Sequence, residues 1–173
     1  HKANVFHVSD GLFLEAVRAV RDEFPDFEYE EQIIDAMAAL LIRDPSQFDV
    51  IVTSNMYGDI LSDEASEIAG SLGMAASLNA GDNFAMAQAQ HGSAPSLAGQ
   101  DQANPSSLIG SAAMLLRWIG ERRDAPQFLA AADAIEQAIT KAVATASTRT
   151  ADLGGPLGTK AFTDGLLAMI KKT

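Results

Sequence analysis

The chain has 173 residues, 47% of them hydrophobic, which suffices to bury a core and excludes a disordered chain or a disulfide-stapled miniprotein. Twelve Lys and Arg against 23 Asp and Glu give a formal charge of −11, a surface that repels phosphate backbones and anionic membranes. The absence of cysteine excludes a disulfide, a thiolate nucleophile and a Cys-ligated zinc, and it fits a reducing compartment.

No apolar run approaches the ~18 residues that span a bilayer, and the opening HKANVFHVSD lacks the basic start and apolar middle of a signal peptide. The expectation is a soluble cytoplasmic protein of one domain or parts of two, with neither nucleic acid nor membrane as partner. His1-Lys2-Ala3-Asn4-Val5 reads as the middle of a strand with no lead-in, so a fragment of a longer protein is expected.

Along the chain, Ser9 is placed to cap a helix running to about Phe24, with Leu12, Phe13, Ala16, Val17 and Val20 at helical spacing before Pro25. Residues 26–33 alternate apolar and acidic side chains, which predicts a strand with one wet face. A compact helix follows over 35–42. The β-branched run Phe48 to Thr53 predicts a strand buried on both faces, and a helix is expected from about Asp59 to Ala69. From Gly70 to Pro105 small residues, Asn and Gln dominate, which suggests loops and short strands around a ligand and a domain boundary near residue 70. Two Ala-rich helices are then expected, Ser107 to about Arg122 and Pro126 to about Ala146. A Gly-rich turn and a last helix from Thr159 to about Lys171 complete an α/β pattern.

Asp59 and Asp63, four apart, project ~40° from each other on one helical face. Two readings fit. Paired carboxylates can hold Mg²⁺ or Mn²⁺ together with water and substrate oxygens, whereas acids in a first helical turn simply balance the helix dipole. Asp35 reads as an N-cap. Lys2 reads either as a solvated lysine or as a proton carrier near a strand end. The small-residue stretch His91-Gly92-Ser93-Ala94-Pro95, with Asn104-Pro105 beyond it, reads either as a surface loop or as a backbone cradle for a ligand. Neither G-x-G-x-x-G, a P-loop nor a G-x-S-x-G elbow occurs.

Taken together, Lys2-Ala3-Asn4-Val5, Ser9-Asp10-Gly11-Leu12-Phe13, Ile34-Asp35-Ala36-Met37, Asn55-Met56-Tyr57-Gly58-Asp59-Ile60-Leu61-Ser62-Asp63, Gly70-Ser71-Leu72-Gly73, His91-Gly92-Ser93-Ala94-Pro95, Ala103-Asn104-Pro105 and Asp152-Leu153-Gly154-Gly155 resemble the isocitrate, isopropylmalate, homoisocitrate and tartrate dehydrogenases. The resemblance covers nearly the whole chain and matches the C-terminal half of those β-decarboxylating enzymes. It implies their two-domain α/β fold, with residues 1–70 in the smaller, dimer-forming domain and 71–173 in the larger cofactor domain.

The same resemblance implies oxidative decarboxylation of a 2-hydroxy di- or tricarboxylic acid, with hydride passing to NAD or NADP. The cation chelated by substrate lowers the hydroxyl pKa and later stabilises the enolate. Asp35, Asp59 and Asp63 then match the metal-binding carboxylates, Lys2 the general base, and Asn4 a residue near substrate and nicotinamide. Lys2 and Asp35 are expected to reach into the neighbouring subunit's site, so a homodimer with shared active sites is implied.

His91, Gly92, Ser93, Ala94 and Ser96 match the loop around the cofactor's adenosine, with His91 and Asn104 at the adenine. Ser96-Leu97 stands where NAD enzymes of this type carry an acid and NADP enzymes a Lys-Tyr pair, and Gln88 replaces a Glu. NAD is favoured because no basic residue occupies the loop, and NADP remains possible. The competing reading is a catalytically silent regulatory or assembly subunit. Loss of an aspartate from G-D-I-x-S-D would favour that reading, and here Lys2 and all three aspartates are present.

Overall fold

The computed structural model of the chain describes residues 1–171, and its backbone divides into two compact units, His1–Ile68 and the remainder from Ala69. The first unit holds helices α1 (Ser9–Arg21) and α2 (Ile34–Arg43) and most of α3 (Asn55–Ala69). Its core is small. Met37 and Leu41, four apart on α2, pack against Leu61 of α3, and Ile34, Ala38, Phe48 and Ala65 close around them.

Three expected strands do not form. Lys2 accepts at its carbonyl from the backbone N–H of both Val5 and Phe6, which curls residues 2–6 into a turn. Only His1 runs beside a neighbour, accepting from the Ile34 N–H at 2.8 Å and donating from its amino group to the Gln32 carbonyl at 3.2 Å. Residues 26–33 and 48–53 are extended or irregular. A β-branched run becomes a strand only when a second backbone pairs with it, and among the described residues none forms a ladder with 48–53; Val50 and Val52 are 82% and 66% exposed rather than buried.

Helix limits also differ at three places. Ser9 is the first residue of α1, preceded by Val8 as the cap, and its hydroxyl donates to Asp10. That helix ends at Arg21, because turns carry the chain from Asp22 to Phe24. α3 begins at Asn55, four residues before Asp59, since the Gly58 N–H donates to the Ser54 carbonyl and the helix runs straight through the glycine.

The second unit builds on helices α4 (Ser106–Arg123), α5 (Pro126–Ala144) and α6 (Thr159–Ile170), within one or two residues of their expected limits. Ala138 and Ala142 of α5 face Phe162 and Leu166 of α6, each pair one helical turn apart, and this is the larger core. Two short strands, β1 (Ala76–Ala80) and β2 (Ala85–Ala89), pair antiparallel with Ser77 opposite Gln88. The hairpin lies on α4 along a stripe of small residues. Ser107 donates to the Ala75 carbonyl, while the Ser111 hydroxyl donates to the Gln88 carbonyl at 2.7 Å and accepts from the Ser77 N–H at 3.0 Å. Such buried hydroxyls satisfy backbone groups that a larger apolar side chain would leave unpaired.

Candidate functional site

In the first unit the chain's own folding brings Lys2 to Asp35. The Lys2 ammonium donates to Asp35 Oδ1 at 2.5 Å, and the second residue of the chain thereby meets the second residue of α2. Asp35 is therefore not an N-cap; Ile33 holds that position without a side-chain hydrogen bond. The Lys2 contact, helped by a backbone N–H, holds the Asp35 carboxyl below its ordinary range. Lys2 is fixed from a second side, since its backbone N–H donates to Asp10 Oδ2 at 2.6 Å. Beneath lies the buried Tyr57, whose phenol is pushed up by burial and then by the Asp10 carboxylate. Asp10 and Tyr57 had no role assigned from sequence, although both sit inside the motifs quoted above. Asn4 lies exposed in the turn that follows Lys2.

Asp59 and Asp63 are exposed on one face of α3. Because the helix starts at Asn55, its first turn contains no acid, and the dipole-balancing explanation for the pair loses its basis. Among the described residues no group of three or more His, Asp and Glu side chains gathers in one place, so Asp35 does not join Asp59 and Asp63 within this chain. Two carboxylates at i, i+4 are hard oxygen donors, and a Mg²⁺ or Mn²⁺ ion that completes its shell with water and substrate oxygens fits such a pair.

In the second unit β2 delivers the chain to His91, and the His-Gly-Ser-Ala-Pro loop follows. The His91 Nδ1 lies 2.9 Å from the Gly92 carbonyl; a carbonyl only accepts, so Nδ1 donates there. Gly92, Ser93, Ala94 and Ser96 are all exposed. Ala94 adopts a left-handed conformation, φ 40°, that turns the loop into the short 3₁₀ turn at Pro95–Leu97. The Ser96 carbonyl accepts from Gln100 Nε2 at 2.5 Å, which folds the loop back on itself. A Cβ built on Gly92 meets nothing within 4 Å, so the loop is open to solvent there.

The far end of this stretch is anchored. Asp101 caps α6, accepting at Oδ1 from the Lys160 N–H at 2.8 Å, and Gly158 packs so tightly that a Cβ there would lie 2.3 Å from Asp101 Oδ2. Asn104 is buried. Its Oδ1 accepts from the Ser106 N–H at 3.0 Å at the start of α4, and its Nδ2 donates to Asp152 Oδ2 at 2.9 Å. The same oxygen accepts from Ser71 Oγ at 2.5 Å. Partial burial pushes the Asp152 carboxyl up, and hydrogen bonding from Ser71, then from Thr150 and Asn104, outweighs it and leaves the group below the usual range. Ser71 and Asp152 likewise had no role assigned from sequence.

No helix among the described residues is long and apolar enough to cross a membrane. Residues 1–166 match the isocitrate/isopropylmalate dehydrogenase family. The NAD isocitrate dehydrogenase catalytic subunit 5 of Arabidopsis thaliana mitochondria is 42% identical over 167 residues, 96% of this chain and 43% of that protein. The 3-isopropylmalate dehydrogenase of Saccharolobus solfataricus is 45% identical over 164 residues, 95% of this chain and 48% of that protein. Among solved structures, isocitrate dehydrogenase from Methylococcus capsulatus superposes with a TM-score of 0.88 at 38% identity, over 99% of this chain and 49% of that one. The chain thus spans just under half the length of these relatives. In sequence and in its mixed α/β fold alike, it belongs to the isocitrate/isopropylmalate dehydrogenase family.

Proposed function

We propose that the protein carrying this chain catalyses the metal-dependent oxidative decarboxylation of a malate-type 2-hydroxy acid, with NAD as the preferred hydride acceptor, and that it works as a homodimer with shared sites. The two units have different tasks in this reading: residues 1–70 supply base and metal ligands, and residues from 71 onward supply the cofactor's adenosine subsite. When bound, the divalent cation supplies positive charge at the substrate's hydroxyl and carboxylate oxygens, and the dinucleotide supplies the hydride acceptor. Asp59 and Asp63 hold the ion from one chain, with Asp35 as the third ligand from the neighbouring subunit.

Lys2 takes the proton from the substrate hydroxyl as hydride leaves the same carbon. The backbone N–H bond to Asp10 supports that assignment by fixing the residue's place; the contact with Asp35 uses the ammonium form, so it must give way and the ammonium lose a proton before Lys2 acts as base. Asn4 sits near substrate and nicotinamide. His91 and Asn104 bracket the adenine, with Gly92, Ser93, Ala94 and Ser96 along the adenosine. The similar identity to isocitrate and isopropylmalate enzymes leaves the substrate at the level of the 2-hydroxy acid class.

The observation that carries the proposal is the Asp59 and Asp63 pair, two carboxylates one helical turn apart, exposed on one face of α3 and beyond its first turn. Titration of the metal-free intact protein with Mn²⁺ tests it. Asp59→Asn should weaken Mn²⁺ binding and nearly abolish turnover while leaving the melting temperature of the metal-free protein unchanged. Full activity of that variant, or of the wild type in excess EDTA, overturns the metal assignment.

A further inference from the structure

We infer that Asp152 is a positioning residue for the cofactor's adenosine end, acting through Asn104; the inference rests on the adenosine subsite proposed above. Asp152 Oδ2 receives two hydrogen bonds, from Ser71 Oγ at 2.5 Å and from Asn104 Nδ2 at 2.9 Å. A carboxylate only accepts, so it fixes the amide end of Asn104, and the Ser106 N–H, which only donates, fixes the carbonyl end. The side chain of Asn104 therefore has one orientation, and it is spent on the fold. What Asn104 offers a ligand is the placement of its backbone, and Asp152 sets that placement.

The turn below is built to the same tolerance. Ser71 Oγ, while donating to Asp152, accepts from the Gly73 N–H at 3.1 Å. A Cβ on Gly73 would lie 2.8 Å from the Asn104 Cβ and 3.0 Å from Asp152 Oδ2, so only glycine lets this turn close under the pair. Asp152 lies at the protein surface with this one oxygen turned inward. A carboxylate used only for surface charge has no reason to converge two donors from residues 81 and 48 positions away.

The test is NAD binding to the intact protein by calorimetry, with steady-state kinetics alongside. Asp152→Ala should weaken NAD binding by about tenfold or more, with kcat and the KM of the hydroxy acid within about threefold of wild type, the pattern of a lost binding geometry rather than of lost chemistry. In the Asn104→Ala background the same substitution should cause no further loss, because both act through one contact. Multiplying effects would mean that Asp152 touches the ligand itself, and that overturns the inference.

Two conservative variants keep the question open to refutation should Asp152→Ala fail to fold. Asp152→Asn retains an accepting oxygen in place and should bind NAD better than Asp152→Glu, which retains the charge but displaces the carboxylate. The reverse order points to a charge effect and overturns the inference. NAD binding unchanged in Asp152→Ala but weakened in Asn104→Ala refutes the role of Asp152 alone. A wild type that binds neither NAD nor NADP refutes the adenosine subsite, and the inference with it.

Discussion

The Lys2 ammonium and the Asp35 carboxylate, 33 positions apart, share a hydrogen bond of 2.5 Å within one chain. If these residues serve the neighbouring subunit's site, they do so as a pair, and Asp59 and Asp63 serve the other site from the same chain.

This pairing makes complementation between inactive variants predictable. In a two-fold dimer, a Lys2→Ala subunit beside an Asp59→Asn subunit rebuilds one intact site of the two, so random mixing should restore about a quarter of wild-type activity. Mixing Lys2→Ala with Asp35→Asn should restore none, since both residues come from the same side. Activity assays after unfolding and refolding the mixtures measure it. Equal behaviour of the two mixtures would refute shared sites.

Cofactor preference should be shallow. Ser96, exposed on its 3₁₀ turn, provides neither the negative charge that rejects a 2′-phosphate nor the positive charge that attracts one. NAD should be preferred by no more than about two orders of magnitude in kcat/KM, ~3 kcal/mol. Ser96→Asp should widen the gap by disfavouring NADP. A strong native preference for NADP would show that basic residues from elsewhere reach the ribose.

Acid stability should depend on Glu31. Arg18 grips this carboxylate with two nitrogens at 2.6 Å each, and that contact lowers it from an ordinary 4.5 to about 2. A depressed carboxyl stabilises the folded protein above its unfolded pKa, and that stability fades as pH falls from 4.5 towards 2. Arg18 is half exposed, so solvent screening leaves only a small part of that stabilisation. Calorimetric melting should show Glu31→Gln less stable at pH 7, with the difference vanishing near pH 2. A difference that does not change with pH would mean the loss is not electrostatic.

Gly158→Ala should destabilise the second unit by roughly 2 kcal/mol or more, because the new methyl must displace the Asp101 carboxylate that caps α6. Melting temperature measures it, and an unchanged value would show that the cap can shift freely.

What the sequence made legible follows the range of the interactions involved. α4, α5 and α6 are set by apolar residues recurring within a turn, as Phe162 and Leu166 do, and local spacing located them to within two residues. Residues 48–53 have the composition of a strand, but composition cannot supply the second backbone. The start of α3 was misplaced because Asn55 and Gly58 have the chemistry of a turn, while their N–H and C=O groups are in helical register. The motif aspartates and Lys2 were readable as residues, whereas the Lys2 contacts to Asp10 and Asp35 were not. Asp152 shows the same limit: its motif was readable, but not that its carboxylate meets residues 71 and 104 from two other motifs.

The span of those last two contacts bears on the order in which the molecule assembles. Closing loops of 81 and 48 residues costs more chain entropy than forming any helical turn, so the Ser71, Asn104 and Asp152 contacts are expected to form after the α5 and α6 packing. Contacts absent from the folding transition state slow unfolding without speeding folding. Disrupting Asp152 should therefore leave the refolding rate nearly unchanged and quicken unfolding, and amide exchange around residues 71–73 and 104–106 should report an opening that does not require the helical core to melt.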